Sequence, residues 1–462
     1  MTTRAGIPRA PGSFPLIGHA PSLLRSPLPF LSSLASHGTL VEVRIGPMTA
    51  LVVCDAQLTR QVLLNDKVFD KGGLLYDRVR EGFGNGLALC PHSSHRRQRR
   101  LIQPVFNRGN LGQYAETMTE MIYSAINGWV DGQTIDVLAE MQEVTARTIV
   151  ASILGQTFTE DELSAMLRDF GTLSRGSYRR MFLPPSMAKL PTPGNRNYRA
   201  ARAHLRQALT AAIHTRRTGA TTHKDLLGAL LESSQEGERL TDDEVVDQAM
   251  IFFFAGMEST AATLAWSLHL IAAQPEIEGA LHREVDAVLG GAPATGGCLA
   301  DLAYTRSIIT ETLRLYPPGS LFTRVTTTRT GLGGYEIGAG TTIICSPYLI
   351  HHQPENFSAP HVFDPSRWNE TRQTEADRAT FIPFGGGPRK CIGDNFGMMQ
   401  GVLALAAIAS KWKLAPVPGA KVRAGVRTVI NPQGLLMTAV SRPTSSATAP
   451  QPLLRHRRSA GF

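Results

Sequence analysis

The sequence predicts a mainly α-helical protein with small β-sheets. Three observations support this prediction: an alternating pattern in TLVEVRIGPMTALVVCD near the N-terminus, a helical pattern from Thr241 to Gln274, and a glycine-rich loop with one cysteine, FGGGPRKCIG, that leads into a last long helical pattern. The length of 462 residues leaves one very large domain or two to four ordinary domains open.

Composition and charge narrow the class of protein. The chain is 42% hydrophobic and 18% charged, which permits a substantial core and argues against general disorder. The net charge is +9, and part of the excess lies near the end, at Arg455, Arg457 and Arg458. Because no base-reading motif or zinc-finger spacing accompanies this charge, we expect no nucleic-acid partner.

The cysteines and the lack of long apolar runs indicate the cellular compartment. The five cysteines are Cys54, Cys90, Cys298, Cys345 and Cys391. Their odd number, wide separation and lack of CxxC spacing argue against a disulfide framework or a structural zinc site and fit a reducing cytoplasm. The sequence shows no apolar leader segment and no run of about 18 apolar residues. We therefore expect a cytoplasmic protein without a membrane span.

The elements before the central helix begin with a strand pair. Polar and apolar residues alternate on both sides of the Gly46-Pro47 turn, as in a β-hairpin. Helical periodicity then covers residues from about 112 to 170 and from 198 to 232. The proline-rich segment between the last two helical stretches, Met181–Asn195, predicts a mobile loop.

The longest predicted helix crosses the whole domain. Thr241 and Glu244 form a capping-box pattern, and Pro275 marks the end of the helix after Gln274. Its middle, IFFFAGMEST, is apolar on all sides, which indicates burial. Further helices are predicted at 276–289, 305–315 and 394–412, short strands at 323–345, and a disordered basic tail at 441–462.

The cysteine loop has the composition of a ligand-presenting loop. Its glycines permit close backbone approach and positive φ angles. The helix that follows would place its N-terminal N–H groups near Cys391, and Arg389 adds a cation two residues away. We expect these features to lower the pKa of the thiol and to hold a thiolate against a large flat group.

The stretch FGGGPRKCIG resembles the haem-binding loop of the cytochrome P-450 family, the haem–thiolate monooxygenases. The resemblance implies that Cys391 is the axial iron ligand of haem b, that Arg389 pairs with a haem propionate, and that Phe384 packs beside the ligand; Gly393 also falls on the pattern. A thiolate ligand favours O–O cleavage by electron donation. The implied fold is one triangular domain over residues 1–440, with the haem between the long central helix and the cysteine loop.

Two further motifs occur in the order that the family requires. ETLR resembles its ExxR pair, Glu311 and Arg314, which lie on one helix face at i, i+3. In the family the arginine of the following FDPSRW motif, here Arg367, completes a structural triad behind the haem loop. An isolated ExxR would more often be an ordinary surface pair.

Other matches concern the haem propionates. HRRQR resembles the segment whose histidine and arginine reach the propionates, here His95 and Arg99, and Arg324 matches another propionate-binding arginine. Taken alone, HRRQR would fit a solvated basic helix equally well.

The segment AGMEST resembles the oxygen-activating turn of the family, with Ala255, Gly256, Glu258, Ser259 and Thr260 as its catalytic positions. A glycine and a buried acid in one helical turn are both costly, which indicates a functional distortion. The resemblance implies that the helix opens there and that an acid and an alcohol relay protons to the oxygen being activated. Ser259 replaces the usual threonine and lacks the methyl group that restricts χ1, which weakens the expectation of tight coupling. A buried salt bridge is the alternative role of Glu258.

The substrate pocket is expected to be apolar. Family positions place these residues around it: Leu75, Val79, Phe83, Leu87, Phe254, Leu321, Phe322 and Leu435. An apolar lining implies a substrate held by shape with few polar anchors. The segments HRRQRRLIQPVF, SYRRMFLPP and LGGYEIGAGTTIICSPY resemble those of actinobacterial members that oxidise cyclic terpenes, such as epi-isozizaene and pentalenene oxygenases.

Three other functions stay open. The alternative substrate is a fatty acid, whose carboxylate Arg175, Arg179 or Arg180 could anchor. A haem–thiolate isomerase or dehydratase, or a non-catalytic haem sensor, would need no external electrons. For a monooxygenase the implied partners are O₂, a small acidic ferredoxin and its NAD(P)H-dependent reductase, with the ferredoxin docked on the basic face over the Cys391 loop. A monomer is expected.

Overall fold

The structure is a computed structural model. It describes residues 6–155, 158–181, 183, 185–218, 225–369, 379–426 and 428–443, and at positions 74, 75, 108 and 185 it describes the backbone without the side chain.

Helices make up most of the described chain. They are α1 (Ala20–Arg25), α2 (Pro27–Ser33), α3 (Ala56–Leu64), α4 (Leu74–Phe83), α5 (His92–Ile102), α6 (Arg108–Ile126), α7 (Val137–Leu154), α8 (Glu160–Met181), α9 (Pro185–Lys189), α10 (Pro193–Thr218), α11 (Leu226–Glu232), α12 (Asp242–Ala272), α13 (Pro275–Leu289), α14 (Ala303–Leu315), α15 (Pro347–His351) and α16 (Asp394–Lys411).

The strands are short and form small sheets. They are β1 (Leu40–Ile45), β2 (Met48–Val53), β3 (Phe69–Asp70), β4 (Thr134–Asp136), β5 (Ser234–Gln235), β6 (Glu238–Arg239), β7 (Phe322–Thr326), β8 (Thr330–Leu332), β9 (Tyr335–Ile337), β10 (Thr342–Cys345), β11 (Trp412–Pro416), β12 (Arg423–Val426), β13 (Ile430–Gln433) and β14 (Leu436–Ser441). One sheet has the order β1-β2-β10-β7-β3, another the order β11-β14-β4, and β5-β6, β8-β9 and β12-β13 are pairs. The prediction of a mainly α-helical protein with small sheets is confirmed.

The predicted N-terminal hairpin is present. β1 and β2 pair antiparallel, with Leu40 opposite Val53 and Ile45 opposite Met48, and Gly46 turns between them at φ +57°. β10 then pairs parallel to β2, so residues 40–53 and 342–345 share one sheet.

Helix α12 forms the centre of the molecule. It has 31 residues, and the capping box that Thr241 and Glu244 predicted is present. It packs against α7, α10, α14 and α16. Among the described residues, α12 is also the one helix whose length and composition would allow it to cross a membrane, but 61% of its most apolar window is buried inside the protein. This burial is that of a core helix.

Two predicted boundaries need correction. The proline-rich segment expected to be a loop contains helix α9, which begins at Pro185, because proline at the first helical position does not disturb the turn. The predicted tail begins too early: β14 includes Ser441, and Arg442 pairs with Asp286 at 2.8 Å. Residues 444–462, the rest of the predicted tail, lie outside the described residues.

Candidate active site

A cavity of about 460 Å³ lies between the middle of α12 and the cysteine loop. Most of the predicted site residues lie in its wall: Leu87, His95, Arg99, Phe254, Ala255, Gly256, Glu258, Ser259, Thr260, Phe322, Arg324, Phe384, Arg389, Cys391 and Gly393. They come from five separate stretches of the chain, so the fold brings together residues that the sequence separates by up to about 300 positions. The structure thereby assigns these residues to one site, and their individual roles stay predictions.

The cysteine loop owes its shape to its glycines. Gly385 and Gly387 have φ angles of +69° and +65°, which side chains rarely permit. A Cβ atom on Gly387 would lie 2.2 Å from the backbone oxygen of Leu63, so this position cannot hold a larger residue without moving the loop. The Cys391 N–H donates to the Phe384 carbonyl at 2.9 Å, and α16 begins three residues after the cysteine. The loop therefore holds the cysteine against the N-terminus of α16.

Cys391 is exposed and lies in the cavity wall. Burial of the surroundings raises the pKa of the Cys391 thiol, and the hydrogen bond with the Gly393 backbone and the charges of Lys71 and Arg99 only partly oppose it. The prediction of a lowered pKa is contradicted, because desolvation outweighs the opposing hydrogen bond and cations.

A group of cations surrounds the cysteine end of the cavity. Arg99 donates to the Lys390 carbonyl at 2.6 Å and to the Gln103 side chain. Arg389 is already paired: its Nε lies 3.0 Å from Asp66 and its Nη2 lies 2.8 Å from Asp70. The described contacts of Arg389 are thus with the protein, and its contact with a propionate stays a prediction.

Lys71 is a site residue that the sequence analysis missed. It follows β3, lines the cavity and donates to the Ala88 carbonyl at 2.9 Å. Burial lowers its pKa to about 7, with the charges of Arg324 and Arg389 adding to the effect. The same surroundings lower the pKa of His95 to about 3, again chiefly through burial. This end of the cavity therefore has more positive charge than the protein itself neutralises.

Arg324 also indicates that this end of the cavity lacks negative charge. Its side chain is buried, and its Nε has no hydrogen-bond partner among the described residues. Its Nη1 donates to the Thr323 carbonyl at 2.8 Å and is 3.5 Å from the Tyr76 hydroxyl. A buried guanidinium with an unpaired N–H is costly unless an acceptor fills the cavity beside it.

The Glu311–Arg314 pair lies in the core rather than at the surface. Both side chains are 0% exposed, and two nitrogens of Arg314 lie 2.8 and 2.9 Å from the carboxylate oxygens. Arg367 approaches the same carboxylate at 3.6 Å, which places the three residues of the predicted triad together. Trp368 also donates its Nε1–H to Glu311 at 2.8 Å, a contact that the motifs did not predict.

Arg314 links this cluster to the chain before the cysteine loop. It donates to the His351 carbonyl, and His351 in turn accepts the N–H of Ile382 on Nε2 at 2.9 Å. His351 is fully buried, and burial lowers its pKa to about 3. The cluster thus fixes the backbone two residues before Phe384.

The middle of α12 opens toward the cavity at Ala255. From Val245 to Leu268, all described, Ala255 alone is exposed, as expected of a residue that faces the cavity. A Cβ atom on Gly256 would lie 2.6 Å from Ile149 Cδ1, so the glycine has a packing reason in the close approach of α7. α12 is helical throughout this stretch, with the Met257 carbonyl accepting the Thr145 hydroxyl at 2.9 Å. The sequence predicted that the helix would open here, but α12 shows no break in this stretch.

Glu258 and Ser259 both line the cavity but bond to different partners. Glu258 accepts the Ser174 hydroxyl at 2.7 Å and the Thr428 hydroxyl on its other oxygen. No basic side chain among the described residues pairs with it, which argues against the salt-bridge alternative. Ser259 donates to the Ala255 carbonyl at 2.7 Å.

Several predicted pocket residues lie elsewhere. Val79, Phe83 and Leu435 are buried in the main hydrophobic core, and Leu321 is 38% exposed; none of the four lines the cavity. Phe83 packs its ring 4.2 Å from that of Phe254, so it supports a wall residue from behind. The side chain of Leu75 lies outside the described residues.

The chain is similar to known proteins over most of its length. A model of the cytochrome P-450 family matches residues 8–439. The chain is 45% identical over 417 residues to cyclooctat-9-en-7-ol 5-monooxygenase of Streptomyces melanosporofaciens, covering 89% of this chain and 90% of the relative. It is 42% identical to pentalenene oxygenase of Streptomyces avermitilis, covering 94% and 97%.

A solved structure shows the same fold. The haem domain of cytochrome P-450DA superposes with a TM-score of 0.86 at 25% identity and covers 95% of this chain and 98% of that one. The predicted fold is therefore confirmed. With a family match over nearly the whole length and relatives above 40% identity, the chain belongs to the cytochrome P-450 family of haem–thiolate monooxygenases.

Proposed function

We propose that this monooxygenase inserts one oxygen atom of O₂ into an unactivated C–H bond of a cyclic terpene or terpenoid in secondary metabolism. The observation that carries the proposal is the division of the cavity wall: its cations gather around Cys391, while Ile149, Phe254 and Ala255 form an apolar part of the wall on the side of α12. An apolar wall selects a hydrocarbon by shape. Relatives named for pentalenene and cyclooctat-9-en-7-ol oxidation support the same substrate class.

The residues present fit a haem, and we propose haem b as its form. Cys391 would ligate the iron, and Lys71, Arg99 and Arg324 would neutralise its two propionates, which explains the unpaired Nε of Arg324 and the surplus of positive charge. When bound, the haem supplies O₂ activation, and the thiolate ligand adds the electron donation that favours O–O cleavage.

The chain itself supplies binding, exclusion of water and proton transfer. Apolar residues such as Phe254 and Phe322 would orient the substrate and keep water away from it. The Glu258 carboxylate can carry a proton between its hydroxyl partners and the cavity, and Ser259, beside it in the wall, offers a hydroxyl oxygen. We propose these two residues as the acid and the alcohol of the proton relay; Thr260, which also lines the cavity, is the other candidate alcohol.

The fatty-acid alternative lacks its anchor in the described residues. Arg180 is 1% exposed, pairs with Glu81 at 2.6 Å and lies over the Tyr198 ring. Arg179 donates to Asn195 at 3.0 Å. Neither of them, nor Arg175, lines the cavity. Arg180 and Arg179, which could have bound a carboxylate, instead bond to Glu81 of α4 and Asn195 of α10, which favours the terpenoid.

Electrons would come from a ferredoxin and its NAD(P)H-dependent reductase, with the enzyme acting as a cytoplasmic monomer. Lys390 beside Cys391 is half exposed and pairs with Asp394 at 2.6 Å. Together with the exposed Arg96 of α5 it offers a basic surface for an acidic partner. Reductant consumption that requires both substrate and ferredoxin would exclude an isomerase, a dehydratase or a sensor. Turnover should fall steeply with added salt; turnover independent of salt would contradict this docking.

The test is a spectral titration of the ferric protein with cyclic sesquiterpenes and, in parallel, with long-chain fatty acids. We expect a saturating low-spin to high-spin shift of the Soret band with a terpene and no shift with a fatty acid. The reverse result would overturn the terpenoid proposal. A Cys391→Ser variant serves as control, and it should lose the thiolate-specific Soret band of the carbon monoxide complex. If Cys391→Ser keeps that band, the assignment of the ligand is wrong.

A further inference from the structure

Two hydroxyl groups from distant parts of the chain converge on Glu258. Ser174 belongs to α8 and lies 84 residues before Glu258, and Thr428 lies in the turn between β12 and β13, 170 residues after it. Ser174 donates to Oε1 and Thr428 donates to Oε2, so each carboxylate oxygen has its own donor. Hydrogen bonds to a charged acceptor are stronger and more directional than neutral ones. The rotamer of Glu258 is therefore set by elements outside its own helix.

Each donor is carried by an element that is fixed elsewhere. On α8, Phe170 packs 4.6 Å from Phe253 of α12, and the neighbouring Leu173 is fully buried. Thr428 lies two residues before Ile430 of β13, whose carbonyl accepts the Trp266 Nε1–H of α12 at 3.2 Å. Both hydroxyls thus reach Glu258 from well-packed supports.

Thr428 also lies in the cavity wall, and Ser174 does not. Thr428 and Val429 line the cavity, so the turn that holds Glu258 is also part of the wall that a substrate would touch. A substrate that displaces this turn would remove the donor from Oε2 while leaving Ser174 on Oε1. A substrate that fits against the turn would leave both donors in place.

We infer that Ser174 and Thr428 are positioning residues for the Glu258 carboxylate, and that the β12–β13 turn couples the fit of the substrate to proton delivery. The inference rests on the proposed function of Glu258 as the relay acid. It goes beyond that proposal, because it makes proton delivery depend on the shape of the substrate at a residue remote in sequence. A poorly fitting substrate should then consume reductant and O₂ and release hydrogen peroxide in place of product.

The test compares Ser174→Ala, Thr428→Val and the double variant with Thr172→Val. Thr172 is a matched control, because its hydroxyl lies on the same helix and, among the described residues, donates to the Arg168 carbonyl alone, at 3.0 Å. We expect product formed per NAD(P)H consumed to fall by about tenfold in the double variant, with hydrogen peroxide rising in its place. The terpene-induced Soret shift and the thiolate band should stay as in the wild type. Coupling equal to that of the wild type, or an equal loss in Thr172→Val, would overturn the inference.

A second readout needs no turnover. Infrared difference spectra against Glu258→Gln identify the carboxylate bands of Glu258, and removal of both donors should shift them relative to Thr172→Val. Unshifted bands would contradict the positioning role. If the proposed function itself is wrong, the wild-type protein will show neither the terpene-induced Soret shift nor product.

Discussion

The buried carboxylate of Glu311 provides the sharpest test of how this fold is held. Glu311→Gln keeps the shape of the side chain but removes the charge that faces Arg314, leaving a guanidinium that is 0% exposed without its counter-ion. Breaking a buried pair by removing one partner typically costs about 3–5 kcal/mol. This is a large part of the roughly 5–15 kcal/mol that holds a folded protein together.

The hydrogen bonds around Glu311 and Arg314 lead to a second expectation about stability. Arg314 donates to three backbone carbonyls, those of His351, Pro360 and Val362. Glu311 accepts two more N–H groups, from Asp364 and Trp368. Replacing both charged residues by apolar ones, which is often harmless for a buried pair, would here leave five polar groups unpaired at about 1–3 kcal/mol each. The double replacement Glu311→Leu/Arg314→Met should therefore be less stable than Glu311→Gln.

The assay is urea unfolding followed by tryptophan fluorescence, together with the haem content of the purified protein. Glu143→Gln is the matched control, since Glu143 pairs with Arg147 one helical turn away at 3.0 Å but on the surface. The control should change the free energy of unfolding by less than about 0.5 kcal/mol. The reasoning is refuted if Glu311→Gln costs less than about 1 kcal/mol, or if the apolar double variant is as stable as the wild type.

Three further predictions follow from single residues. Ser259→Ala should leak hydrogen peroxide and keep the thiolate band; unchanged coupling would assign the relay to Thr260 or water. Gly256→Ala should push Ile149 into the cavity and weaken terpene binding in the Soret titration, and Ile149→Ala should restore binding; a Gly256→Ala titration equal to that of the wild type would contradict the packing role of the glycine. The pKa of His351 lies near 3 in the folded protein, below the ordinary value of 6.5, so the unfolded chain binds more protons between these values and stability falls as pH falls through this window. At pH 5 the loss should be roughly 2 kcal/mol in urea unfolding, and His351→Gln should remove this part of the pH dependence.

Local patterns predicted the fold well where one motif dictates the local structure. The capping box at Thr241, the turn at Gly46 and the glycine loop before Cys391 each appear where the sequence placed them. Helix α9 was missed because a proline-rich segment reads as a break, although proline is also a good first residue of a helix.

The site was predicted unevenly for a physical reason. Motif residues such as Glu311 and Arg314 have their partner within one helical turn, so spacing alone reveals the pair. Ser174, Thr428 and Lys71 reach the site only through packing of distant elements, and nothing in their neighbours along the chain marks them. For Gly256 the sequence suggested a functional distortion, and the close approach of Ile149 adds a packing role that the sequence did not reveal.

The electrostatics of the cysteine end are those that we expect a bound haem to complement. Burial raises the pKa of the Cys391 thiol and lowers that of Lys71 to about 7. Burial therefore disfavours the thiolate of Cys391 and the charged form of Lys71. An iron cation would stabilise the thiolate, and two propionates would stabilise the lysine and the unpaired Arg324. A neutral apolar ligand of the same size would stabilise neither the thiolate of Cys391 nor the charges of Lys71 and Arg324. Haem binding should therefore release a proton from Cys391 and favour the charged form of Lys71, and the groups that are costly without haem are the groups that select it.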